Sequence, residues 1–137
     1  MNNEKHPLVD FYSEMNSDIL YAEFPNNLKI DLAAAREIVA NRFDFAKDKP
    51  YYVIVDISHV RKVSREAKEY LQRPDTGLKN ILGAAFIATN PVSALIANIF
   101  IKTPKDFQAK FFSTKEAAFE WIIQCRQIIN DRNLRPL

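Results

Sequence analysis

The sequence predicts a single α/β domain, a mixed sheet with helices packed against its strands. Three observations carry this. β-forming runs alternate with stretches of helical period, in the order β-β-α-β-α-β-α-β-α. The run Tyr51 to Ile57 (YYVIVDI) is almost unbroken in β-formers, as in parallel strands covered on both faces. A chain of 137 residues, 47% hydrophobic and 26% charged, suits one core. One domain is expected over 1–137, with a core from about Leu8 to Asp131.

Leu8 to Ser13 and Asp18 to Phe24 are short, aromatic-rich runs around a polar loop, and predict an antiparallel hairpin. The preceding residues, His6 included, read as a polar tail. Pro25-Asn26-Asn27 breaks the pattern before Asp31, whose carboxylate suits an N-cap. Leu32, Ala35, Ile38, Val39, Arg42, Phe43 and Ala46 then follow at helical spacing, and Asp48-Lys49-Pro50 stops the helix. After the Tyr51 strand, Ser58 to Val63 reads as a polar loop. Ser64 caps a second helix that Pro74 ends, and Asp75 can cap a short further turn to Asn80. Leu82 to Ala88 is another apolar strand, where Gly83 and the alanines suggest close approach of a neighbour.

Asn90-Pro91 is a helix start, because proline at the first helical position loses no hydrogen bond. That helix runs to about Lys102. Lys110 to Phe112 is a short strand, and Thr114 caps a last helix with the stripe Ala118, Trp121, Ile122, Cys125, Ile128 and Ile129. Asn133 to Leu137 reads as a frayed tail.

The scarce residues exclude most. Two glycines, Gly77 and Gly83, cannot build a GxGxxG turn, a P-loop or a GxSxG elbow. One cysteine excludes an internal disulfide and any CxxC pair, and two histidines cannot make HExxH. No cofactor and no metal are expected. A net charge of +2 gives no strong field for nucleic acid, and no nucleic-acid partner is expected. Phe107, Phe111 and Phe112 lie among lysines, but the pair Phe111-Phe112 on a short strand reads as core. No transmembrane segment is expected, since Ile81 to Ile101 is interrupted by Thr89-Asn90-Pro91, Ser93 and Asn98. With no signal peptide and a single thiol, the expected location is cytoplasmic.

The polar residues after the central strand are the candidate site. Ser58, His59, Arg61, Lys62, Ser64 and Arg65 follow it closely, and ligands of α/β sheets bind beyond strand carboxyl ends. Asp56, Ser58 and His59 are too close in sequence to converge as a triad. The group is therefore a candidate for binding a partner or an anion, with no catalytic residue assigned. Cys125 reads as a small buried hydrophobe. Asp10, Glu14, Asp18 and Glu23 read as solvent-exposed carboxylates.

The order of elements and the run Val55-Asp56-Ile57-Ser58-His59-Val60 resemble the STAS domain, the fold of bacterial anti-sigma-factor antagonists. More narrowly, the chain looks like uncharacterised STAS-like bacterial proteins grouped with lipid-transfer (CRAL-TRIO) domains. Their helix motif matches Pro91, Ser93, Asn98 and Phe100. Their next motif matches Phe112, Thr114, Glu116, Ala118 and Trp121. In STAS switches the phosphoacceptor is the second residue of an Asp-Ser-Ser-Gly group, and here that position is Arg65. Ser64 lies one place early and has a capping task. The resemblance implies a regulatory or scaffolding module acting through protein contact, not an enzyme, without the usual phosphoacceptor. The alternative it implies is a carrier of a small apolar or lipid-like ligand, marked by a cavity between the sheet and the helix Val92 to Lys102.

A homodimer through that helix is also expected. Val92, Leu95, Ile96, Ile99 and Phe100 gather on one side of the helical wheel and can face the core. Ser93, Ala94, Ala97, Asn98 and Ile101 then form an uncharged outer face that a second copy could meet. A loop or the tail of the same chain could cover it instead.

Overall fold

The computed structural model describes residues 2–15 and 17–134, with side chains to residue 128. Its central sheet has six strands in the order β1-β2-β3-β5-β7-β8: Asn2–Lys5, Asp10–Ser13, Ile19–Glu23, Tyr51–Asp56, Ile81–Ile87 and Ala109–Phe112. The first two junctions are antiparallel and the rest parallel, so the sheet is mixed as the hairpin and the alternating units require. A second, two-stranded parallel sheet joins β4 (Leu28–Ile30) to β6 (Val60–Val63). The helices are α1 (Leu32–Ala46), α2 (Arg65–Leu71), α3 (Pro91–Lys102) and α4 (Lys115–Leu134).

The caps act as their residue types dictate. Asp31 accepts from the Ala34 N–H at 2.8 Å, and Ser64 from the Ala67 N–H at 3.1 Å. Asn90 and Ser93 form a reciprocal capping box. Lys47 ends α1 in the left-handed conformation, and its N–H returns to the Phe43 carbonyl.

Alternation along the strands divides the core in two. Tyr52, Ile54, Ala85 and Ile87 face α4, where Ala118, Ile122 and Cys125 pack with them. Leu20, Ala22, Val53 and Ala84 belong to the opposite face with Ile30, Ile38, Val60, Val63, Ile96 and Ala97. Strand β5 is thus covered on both sides. At Gly83 a Cβ would meet the Tyr52 ring at 3.0 Å, the close approach its position suggests.

Five expectations are corrected. Asn2–Lys5 is an edge strand paired with β2, not a tail, and His6 lies edge-on to Phe11. Its side chains are all exposed, so no apolar period marks it. Ser58 to Val63 contains strand β6, where only the end residues Val60 and Val63 are buried. The segment after Pro74 forms the expected turns to Asn80, but the Asp75 carboxylate meets Arg73 at 2.9 Å instead of serving as their cap. Helix α4 continues through Leu134, while the rest of the expected tail, 135–137, lies outside the described residues.

The fifth correction rotates α3: Ile96 and Phe100 face the core as expected, but the expected outer side is largely buried too. Ser93 and Ala97 are fully buried in their own chain, Ala94 is half-buried and Ile101 packs on the core, whereas Val92 and Leu95 are 48% and 67% exposed. Small side chains let the helix lie close to the sheet, and the capping box turns Ser93 inward. Of the residues proposed as a dimer face, only Asn98 is exposed.

Candidate ligand-binding site

The residues singled out after the central strand do not form one site. The Ser58 N–H donates to Asp56 Oδ1 at 3.0 Å, and its hydroxyl donates to the Ile87 carbonyl at 3.4 Å. The Asn90 amide donates to the Ser58 carbonyl at 2.8 Å, tying the ends of β5 and β7 together. This is turn chemistry, with the carboxylate of Asp56 holding backbone. His59 is exposed, and its carbonyl accepts from the Leu28 N–H at 3.2 Å. Ser58, His59 and Arg61 line a shallow open depression with Asn26, Asn27, Asn90 and Val92. Lys62 stands beside Lys29 in the β4–β6 pairing. Ser64 is occupied as the cap of α2, and Arg65 pairs along that helix with Glu69 at 3.3 Å. Helix α2 has seven residues and its first-turn donors are partly used, so it offers no ready anion site.

The more distinctive feature is on the far side of the sheet from α4. An apolar cavity of about 130 Å³ lies between β3, β5 and β7 below and α1, α3 and the β4–β6 pair above. Leu20, Ala22, Val53 and Ala84 form its floor, and Ile38, Ile96 and Phe100 part of its roof. Phe100 stacks on Phe86, another lining residue, at 6.0 Å. The lining is apolar because it comes from the inward positions of strands and the apolar stripes of helices.

Two cations border this cavity, and sequence reasoning assigned neither to a site. Arg42 is 9% exposed and donates to the carbonyls of Lys79 at 2.9 Å, Gly77 at 3.2 Å and Thr76 at 3.3 Å. Burial pulls its guanidinium down to about 10. Lys105 donates to the carbonyls of Phe100, Ile101 and Thr103 at 3.1, 2.6 and 2.7 Å, closing the carboxyl end of α3. Burial also lowers the pKa of Lys105. The sequence did carry a signal for Arg42, a charged residue on the apolar stripe of the first helix. Lys105 carried none, because it reads as a loop lysine.

Comparison with known proteins now adds the family. The profile described as "Domain of unknown function (DUF7793)" matches residues 13–126. The chain belongs to this family. No curated protein matches it. Among solved structures, an uncharacterized protein of the DUF3478 family with a SpoIIAA-like fold, from Shewanella loihica PV-4, is similar at a TM-score of 0.58 and 17% identity. The match covers 88% of this chain and 98% of that one. The likeness shows the fold, mixed α/β and SpoIIAA-like, as the order of elements in the DUF7793 chain predicts. No described helix is long and apolar enough to cross a membrane.

Proposed function

We propose that the protein is a non-catalytic binding module that holds a small apolar molecule in the cavity between the sheet and α1 and α3. The cavity itself is the observation that supports this reading. Protein interiors pack to crystal-like density with few voids larger than a water, and this one measures about 130 Å³ with a lining almost wholly apolar. An engineered cavity of about 150 Å³ lined by Leu, Ile and Phe stays dry and takes benzene. The test is titration of the chain with benzene, read by the methyl resonances of Val53, Ile38 and Ile96. Shifts confined to these and their neighbours, lost in Ala84→Leu, are expected. Unchanged spectra at saturating benzene would sink the reading.

A second reading, a regulatory module acting by protein contact, rests on a different surface. Val92 and Leu95 form an exposed apolar ridge on α3, and Val92 joins it to the depression lined by His59 and Arg61. Such a ridge suits a protein partner, a second copy of the chain included. Light scattering of the native chain and Leu95→Glu separates the cases: a dimer that the substitution dissolves supports self-pairing, and a monomer in both removes it.

A further inference from the structure

We propose that the depression at the carboxyl ends of β5 and β7 binds the phosphate monoester of a small polyol, with Arg61 on the phosphate and Asn26 and Asn27 on the hydroxyls. This site is separate from the cavity and does not depend on it. It lies outside the ends of parallel strands, where ligands of α/β sheets bind. Ser58 and His59 follow β5, Asn90 follows β7, and Asn26 and Asn27 precede β4. The Leu28 N–H donates to the His59 carbonyl at 3.2 Å, and the Asn90 amide to the Ser58 carbonyl at 2.8 Å. These bonds hold the three walls against each other before any ligand arrives. The volume of about 430 Å³ falls in the range of small-molecule sites, about 300–1,000 Å³.

The chemistry of the lining selects the ligand. Ser58 and Asn90 spend their side chains within the protein. The side chains of Asn26, Asn27, His59 and Arg61 have no hydrogen-bond partner and no ion pair among the described residues. Arg61 brings a positive charge to the lining, and no described carboxylate lines the depression opposite it. A guanidinium fork fits two phosphate oxygens, and the imidazole adds a further donor. Carboxamides donate and accept at once, as hydroxyl groups require. Val60 and Val92 are the apolar members, on which a carbon skeleton rests. The start of α3 has no part in this, because its capping box already takes the N–H groups of Asn90 and Ser93.

The experiment is NMR titration of the full chain with ribose-5-phosphate, ribose and inorganic phosphate, read at the amides of residues 58–61 and at the His59 ring. Ribose-5-phosphate should shift these resonances with a Kd at or below about 1 mM. It should bind about ten-fold or more tighter than either fragment. Arg61 is exposed on β6, so Arg61→Gln leaves the fold in place and should weaken ribose-5-phosphate about ten-fold or more. Asn26→Ala should weaken it about three-fold and leave inorganic phosphate unchanged. Arg65→Gln, on α2 outside the depression, should change neither. No shift at these residues, or equal affinity in the native chain and Arg61→Gln, overturns the inference and leaves the cavity reading to its own benzene titration. An equal loss in Arg65→Gln would reduce the effect to net charge and overturn it too. Inorganic phosphate bound as tightly as ribose-5-phosphate overturns the polyol class.

Discussion

Ala84 and Ala85 are neighbours on β7 that face opposite sides of the sheet, and their surroundings differ. Ala85 is fully buried in the layer that α4 covers, with Ile122 and Ala118 also at zero exposure. Ala84 is nearly as buried, yet it borders the cavity. The first face is closed by a single helix. The second is roofed by separate pieces, α1, α3 and the β4–β6 pair, and the space left between them is the cavity. A residue can thus be buried from solvent without being surrounded by atoms, and only the second condition makes it intolerant of added volume.

The largest expected effect tests how the roof is built. Ala97 on α3 is fully buried against the core, so Ala97→Glu places an unpaired charge there and should cost more than about 3 kcal/mol. Leu95→Glu, on the exposed side of the same helix, should change stability by less than about 0.5 kcal/mol. Urea unfolding of both variants checks this. A tolerated Ala97→Glu would mean that α3 sits the other way round, with its small residues outward.

The next effect compares the two faces directly. Ala85→Val overfills a packed layer and should destabilise by about 1–3 kcal/mol. Ala84→Val adds the same volume beside the cavity and should cost less than about 1 kcal/mol, while weakening benzene binding. Equal losses in the two variants would mean that the cavity side is as tightly filled as the α4 side.

A smaller effect belongs to the polar rim at the carboxyl ends of the strands. Ser64→Ala removes the acceptor for the Ala67 N–H and should cost about 0.5–2 kcal/mol. An unchanged urea midpoint would show that water replaces the serine without loss, and that the cap is dispensable.

The two faces also differed in how plainly the sequence displays them. The layer under α4 was readable, because Ala118, Ile122 and Cys125 recur at helical spacing and the strands alternate. The short strands were not. β4 has three residues, and β6 buries only Val60 and Val63, so neither shows a period of two. Side-chain bulk does not mark the inward face of α3. The helix instead turns Ser93 and Ala97 inward and leaves Leu95 out. The polar residues of the candidate site were visible as a cluster in sequence, but their hydrogen bonds lead to turns and caps. The cavity was beyond the sequence, since a void is a property of how three roof elements meet. Arg42 marked its edge as an out-of-place charge.

The smallest effect concerns what holds α4 in place. Arg126 meets Asp18 at 2.7 Å, linking α4 to the start of β3, with side chains 33% and 41% exposed. A partly exposed pair of this kind contributes about 0–1 kcal/mol and weakens with salt. The Asp18 carbonyl, which accepts from the Tyr52 N–H at 2.8 Å, is untouched by a side-chain change. Asp18→Asn should therefore lower stability by less than about 1 kcal/mol, and the deficit should shrink in 1 M sodium chloride. If packing of Ala118, Ile122 and Cys125 holds the helix, this small and screened loss is all that removing the charge can produce. A loss above about 2 kcal/mol that persists in high salt would show that the α4 face depends on its ion pair, and the contrast with the loosely filled face would then be one of charge as well as packing.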